Sequence, residues 1–215
     1  INININCISN FKLFKMERAH QFMQKYMKQL TTTNYNQIEI TFGTSIGKNI
    51  FNANISKEVF QKLKSYFEDI EESTTQYLEN KIYYASNKEL HINDSFQQRV
   101  YNMTLYDHLL ISKKENMPFD LKYTFAEKKM VSIEHFPTRR EYSNEVFKKV
   151  TSVNIKNKFY VNFNEIEQIN GKTIYILTML VKRRTNNRHN ELHGMMLNFI
   201  EQVQSIANMF SSKEK

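Results

Sequence analysis

One cysteine, two prolines, four glycines and no tryptophan stand in 215 residues. Cys7 alone can form neither an internal disulfide nor a cysteine-based zinc site, so a reducing compartment is the simplest setting. So few glycines and prolines exclude a collagen-like or linker-rich chain. The longest apolar stretch, Ile174–Val181, falls far short of the ~20 residues a membrane-spanning helix needs. There is no glycine-rich phosphate loop, Walker sequence or dinucleotide fingerprint, and no RRM-type signature. The opening, INININCISNFKLFK, does not read as a signal peptide. Residues 1–15 are expected to be a tail, and 16–215 a single domain.

Hydrophobic residues make up 40% of the chain, enough for a sizeable core, and the net charge is +8. A basic balance favours anionic partners such as nucleic acid or phosphates. It is equally what a lysine-rich, AT-rich genome would produce, and the abundance of Asn, Lys and Ile points the same way.

The stretch Asn36–Thr44 alternates: Ile38, Ile40 and Phe42 on one side, Gln37, Glu39 and Thr41 on the other. That is a strand. Glu39 is an acid in mid-strand, so its face meets either solvent or a wet interior. Before it, Met16–Leu30 carries Phe22, Met23, Tyr26, Met27 and Leu30 at helical spacing. After it, Ser56 is placed to cap a helix running to about Ile70, with Val59, Phe60, Leu63 and Phe67 as its buried stripe. Acids at Glu68, Asp69, Glu71 and Glu72 oppose the helix dipole there and predict fraying.

From Thr74 to Val181 short β-rich stretches recur: Gln76–Ala85, Glu89–Ile92, Gln98–Leu105, His108–Ser112, Phe119–Phe125, Met130–His135, Glu145–Ile155, Lys158–Phe163 and Thr173–Val181. Strands this close together suggest an antiparallel sheet or barrel. Glu191–Phe210 reads as an amphipathic helix, with Met195, Met196, Phe199, Ile200, Val203 and Ile206 on one face. The expected class is therefore α+β, one antiparallel sheet with flanking helices.

In this order, IEITFGT followed by FNANISKEVFQKL resembles the opening of the triphosphate tunnel metalloenzyme family, in particular the RNA 5′-triphosphatase domains of viral and fungal mRNA capping enzymes. FDLKYTFAEKKMV (Phe119–Val131) is similar to that family's Asp-Ile-Arg strand. VFKKVTSVNIKNKFYVNFNEI (Val146–Ile166) resembles its basic strand and the strand after it, and TIYILTMLV (Thr173–Val181) stands where the family has its last strand of alternating glutamates. The resemblance implies a closed antiparallel barrel, a tunnel. In active members glutamates of the first and last strands hold Mg²⁺ or Mn²⁺, and basic residues of the strands between hold the triphosphate. A large DNA virus is the expected source, and the cytoplasm, the nucleus or a virion the expected location, not secretion.

The chain departs from the family pattern at specific positions. Of the first glutamate pair only Glu39 remains, with Gln37 as its neighbour, and Thr41 replaces an arginine. The last strand offers Ile176, Thr178 and Leu180 in one register or Tyr175, Leu177 and Met179 in the other, with no acid in either. Lys148 matches the lysine of the basic strand, Val150 takes the next arginine position, Tyr160 and Asn162 replace an Arg-x-Asp pair, and Lys122 stands in for an arginine. One carboxylate does not replace a ring of them.

Three readings follow. The first is a catalytically degenerate tunnel domain that binds or assembles, with no cofactor expected. The second is a working triphosphatase that uses Mg²⁺ or Mn²⁺, in which Glu39 is catalytic and a metal ligand, helped by Glu127, Glu141 or Glu145. The third is an unrelated β-rich interaction protein without a closed barrel. RNA or triphosphate, and protein partners, are expected, with no membrane span. The candidate phosphate- or RNA-binding residues are Lys122, Arg139, Arg140, Lys148, Lys149, Lys182, Arg183 and Arg184. His189 and His193, four apart, are better read as a solvated helix start than as a metal pair. Asp107 and His108 are strand neighbours that face opposite ways.

Overall fold

The computed structural model describes residues 17–31, 35–47, 50–70, 73–112, 117–136, 144–155, 158–181 and 189–211; of 135, 144, 189–193 and 210–211 it describes the backbone alone. Arg139, Arg140, Glu141, Lys182, Arg183 and Arg184 lie outside the described residues.

The alternation of Asn36–Thr44 becomes strand β1, Asn36–Ser45. The short β2 is Phe51–Asn52, followed by β3 (Ser73–Ala85), β4 (Lys88–Asn93), β5 (Gln98–Ile111), β6 (Asp120–Val131), β7 (Asn144–Ile155), β8 (Phe159–Gln168) and β9 (Thr173–Val181). The order β1-β6-β5-β4-β3-β7-β8-β9 closes on itself, because β1 also pairs with β9 from Ile38↔Val181 to Thr41↔Thr178. Every pairing is antiparallel. The result is a closed eight-stranded barrel, with β2 added at the end of β1. The expectation of an open, unrelated β sheet fails on this closure.

Three helices pack on the outside: α1 (17–27), α2 (Lys57–Glu68) and α3 (His189–Ser211). Ser56 caps α2 as its position suggests, its hydroxyl accepting from Val59 N at 3.3 Å. The apolar faces of the helices meet the outer faces of β1, β6, β8 and β9 in one core. Aromatic rings join them: Tyr26 of α1 stacks on Phe125 at 4.3 Å between centroids, and Phe67 of α2 stacks on Phe199 of α3 at 4.4 Å. Phe60 meets Phe163 edge-on, and Phe159 meets Phe199 likewise. The Gln204 amide, buried on α3, clamps the start of β6: it accepts from Phe119 N at 3.0 Å and donates to Phe119 O at 2.8 Å.

Several boundaries differ from the pattern in the sequence. Gln98–Leu105 and His108–Ser112 are one strand, β5, bent at a register shift between Leu105 and Asp107. The bulge re-phases the side chains, which makes one strand look like two. Met130–His135 is not a strand: Met130 and Val131 end β6, and Ile133–His135 is a 3-10 turn. The Phe119–Phe125 and Lys158–Phe163 stretches run on, as β6 and β8, through more polar residues. Their side chains alternate between the barrel interior, as Lys128 and Asn164 do, and the outer face, as Glu127 and Glu165 do, so no apolar alternation marks them.

Candidate functional site

Parity identifies the lumen. Ile38, Ile40 and Phe42 belong to the core under the helices, so Gln37, Glu39 and Thr41 point inward. Residues paired across a ladder share a face, so the assignment passes from strand to strand. On β6 it gives Lys122, Thr124, Ala126 and Lys128. On β5 it gives Tyr101 and Met103 before the bulge, and His108 and Leu110 after it. On β4 it gives Glu89 and His91, and on β3 Asn80, Ile82 and Tyr84. Strand β7 contributes Lys148, Val150 and Ser152. Strands β8 and β9 contribute Tyr160, Asn162 and Asn164, then Ile174, Ile176, Thr178 and Leu180. The last strand thus adopts the Ile176/Thr178/Leu180 register, and its inward face carries no acid.

Glu39, Lys122 and Lys148 share this lumen. Lys149 does not: it is the strand neighbour of Lys148, faces outward, is 52% exposed and pairs with Glu79 at 3.4 Å. Glu127 and Glu145, the proposed helpers of Glu39, also lie on the outer face. Glu127 accepts from the exposed Tyr106 hydroxyl, and Glu145 pairs with Lys81. Asp107 faces α1, bonded to Tyr26 and to Lys25, while His108 lies on the lumen side.

The acid the sequence reading missed is Glu89. It faces inward from β4, and its Oε2 takes a hydrogen bond from Lys128 Nζ at 2.7 Å and one from His91 Nε2 at 2.8 Å. Lys128 also stands 4.7 Å from the centroid of the Tyr101 ring, and His91 meets that ring edge-on. Burial alone would raise the Glu89 carboxyl, but the His91 hydrogen bond and the Lys128 charge outweigh it and hold it at about 2. Burial lowers His91 in spite of that bond, which favours a neutral imidazole. The nearby Tyr84 hydroxyl is pushed up to about 12, by burial first and then by the Glu89 charge.

Glu39 has the opposite balance. Protein encloses its carboxyl, and the accessible surface it keeps belongs to the lumen. Burial raises it, against the attraction of Lys148, a hydrogen bond from Thr41 Oγ1 at 3.3 Å and the charge of Lys128; the charge of Glu89 adds to the rise. Lys148 is driven down, by burial first and then by Lys128, with Glu39 and Glu89 opposing. Glu39 and Lys148 feel each other's charge, yet no ion pair joins them. Lys122 forms no ion pair among the described residues either.

Apart from Lys148, the inward wall made by β7, β8 and β9 carries no charged side chain among the described residues. Ser152 donates to Asn162 Oδ1 at 2.7 Å, and the Asn164 amide donates to the carbonyls of Asn162 and Ile176. Amides, hydroxyls and aliphatic side chains line it.

The resemblance in the sequence implies a divalent cation held by several carboxylates. Hard cations of this kind take oxygen ligands in number. Among the described residues no three of His, Cys, Asp and Glu group as a metal site. Glu89 is already committed to Lys128 and His91, Glu39 is biased towards its neutral form, and the inward face of β9 is Ile, Ile, Thr and Leu. This donor set does not fit such a cation.

No family profile and no curated protein sequence matches the chain. Solved structures do. The RNA triphosphatase Pct1 of S. pombe, in complex with the Spt5 CTD, superposes with a TM-score of 0.69 at 10% identity, over 91% of this chain and 93% of that one. Pct1 alone gives 0.68 at 11% identity, over 97% and 98%. The Mimivirus capping enzyme triphosphatase gives 0.62 at 9% identity, over 87% and 98%. At such identities the likeness speaks for the fold and not for the chemistry. With its closed antiparallel barrel and flanking helices, the chain has the triphosphate tunnel fold.

Proposed function

We propose that this chain is a catalytically degenerate tunnel domain that binds a phosphorylated ligand in its lumen without hydrolysing it, as a binding or assembly component. The observation that carries this is the charge arrangement inside the barrel. Lys122, Lys128 and Lys148 face inward; Glu89 is held by Lys128, and burial drives both Glu39 and Lys148 towards their neutral forms. Phosphoryl transfer is catalysed almost wholly by positioning and by charge stabilisation. A tunnel that keeps inward lysines and lacks the carboxylates for a metal keeps part of the binding half of that chemistry. The resemblance to capping-enzyme domains and the lysine-rich composition support a place beside viral RNA capping or transcription.

The test is phosphate release from a 5′-triphosphate RNA and from ATP, with Mn²⁺ or Mg²⁺, beside binding of the same ligands. The expected result is binding that weakens in Lys148→Met, with no more phosphate release than from Glu39→Ala. Metal-dependent turnover abolished by Glu39→Ala would restore the enzyme reading.

A further inference from the structure

Strand β3 is longer than its neighbour on one side. β7 pairs with it from Ser73 to Tyr84, but β4 only from Asn80 to Ala85. Before Asn80, no strand among the described residues pairs with the side of β3 that β4 leaves open.

In an antiparallel ladder, alternate residues send both N–H and C=O to the same neighbour. Ala85 and Lys88 close the two-residue turn Ser86–Asn87 as a hydrogen-bonded pair, so Ala85, Tyr83 and Lys81 bond β4 and the residues between them bond β7. Continued down the strand, this alternation turns the N–H and C=O of Thr75, Tyr77 and Glu79 to the open side. Two bonds outside the ladder agree. Asn93 N donates to Gln97 O at 3.2 Å, away from Asn80, and Ser73 N donates to Ile70 O at 3.3 Å, not to β7.

Proteins blunt an open edge with proline, lysine or a bulge. The segment Ser73–Glu79, STTQYLE, has none of these, and its register with β7 runs without a shift. Tyr77 is 68% exposed and Leu78 51%. The turn at the end of the gap carries Phe96, 84% exposed, at φ 58°. The turn between β8 and β9 makes the same pair of backbone bonds and has Gly171, at φ 77°, in that place. A side chain is disfavoured in this conformation, so the ring is held out against both water and backbone preference.

The length and charge of the edge select its occupant. Its one charge, Glu79, is met by Lys149 at 3.4 Å, and Lys81 beside it pairs with Glu145. A charged foreign segment finds nothing there to answer it. A second copy meets no repulsion at this edge, although the chain carries +8 overall. Laid antiparallel about Gln76, the segment pairs with itself over its whole length, with Thr75 opposite the second copy's Tyr77 and Glu79 opposite the second copy's Ser73. No like charges face each other, and the added strand ends where the Phe96 turn begins. We propose that two copies of the chain join through this edge, Ser73–Glu79 on Ser73–Glu79, so that one sheet runs across two barrels.

The test is sedimentation equilibrium of the full chain over about a hundredfold range of concentration, with hydrogen exchange read at single amides at both ends of the range. The mass is expected to rise from that of one chain towards that of two, and the amides of Thr75, Tyr77 and Glu79 to become protected as it does. Tyr77→Pro removes an N–H that the barrel does not use, and is expected to weaken pairing about tenfold or more. Tyr77→Lys puts a charge on the edge, is expected to do the same, and serves if the proline variant does not fold. Ile169→Lys, at an equally exposed residue in the turn at the other end of the barrel, is expected to leave pairing unchanged. A chain that stays monomeric at every concentration overturns the proposal and leaves the edge to another protein's strand. A dimer in which the three amides exchange as in the monomer, or one that both Tyr77 variants leave intact, overturns it too, because such a dimer is built on another face.

Discussion

Lys128 Nζ lies 2.7 Å from Glu89 Oε2, inside the barrel, and the pair is less than one-third exposed on either side. This contact turns an inward acid of a tunnel fold from an open oxygen donor into the counter-ion of a lysine. It also makes Glu89 a group that titrates with folding.

The Glu89 carboxyl falls from its ordinary value to about 2 in the folded protein. A depressed carboxyl contributes stability that is present above its unfolded value and is lost as pH falls through the folded one. That window runs from the ordinary glutamate range, near ~4.3, down to about 2. The contribution at neutral pH is of the order of 2–4 kcal/mol. Glu89→Gln is expected to lose most of it at pH 7 and to differ little from the parent near pH 2. Urea unfolding of both proteins across this range checks it. Equal loss at both ends would mean that the side chain matters for packing and not for charge.

Glu39 is the mirror case. Its folded value is raised, chiefly by burial, so the stability it contributes is full below its unfolded value and falls as pH rises through the folded one. Glu39→Gln keeps the shape and the Thr41 contact and removes the buried charge. The variant is expected to be more stable than the parent at pH 7–8 and level with it near pH 4. Melting temperatures at the two pH values decide this; a destabilised variant at neutral pH would show that Lys148 outweighs burial.

Much of this arrangement was legible in the chain. The two-residue period of β1, the serine cap of α2 and the Phe60/Leu63/Phe67 stripe each follow from local rules, and local rules decide them. Parity alone separates Lys148 from Lys149, since neighbours on a strand face opposite sides. Glu89 was hidden because β4 is short and its sequence, KELHIN, reads equally well as a solvated edge. Only closure of the barrel shows that its polar face is enclosed. Gln204 was hidden for a related reason: a glutamine beside Val203 on an apolar helix face gives no hint that it reaches the backbone of β6.

Gln204→Leu tests that clamp. The substitution keeps the volume roughly and leaves Phe119 N–H and C=O without their side-chain partner. Each buried backbone group left unsatisfied costs about 1–3 kcal/mol, so a loss of roughly 2–5 kcal/mol is expected in denaturant unfolding. Phe67→Ala, at the ring stack between α2 and α3, is expected to cost about 3–5 kcal/mol. Both sites hold α3, one to the start of β6 and the other to α2, and they serve to ask whether α3 is held more by its amide or by its rings.

The donor argument itself can be tested by putting acids back. Leu180 is the ladder partner of Glu39 across β1 and β9, and Gln37 is the next inward residue of β1. Leu180→Glu with Gln37→Glu therefore places three carboxylates on one inward patch of two neighbouring strands. Without metal they repel in an enclosed site, and the double variant is expected to melt below the parent. A cation that binds only the folded form stabilises it by about 2.7 kcal/mol at a hundredfold excess over its Kd. Mn²⁺ is thus expected to raise the melting temperature of the variant and to leave that of the parent unchanged. A comparable rise in the parent would mean that Glu39, with donors it already has, binds the ion, and the metal-free reading of this tunnel would fall.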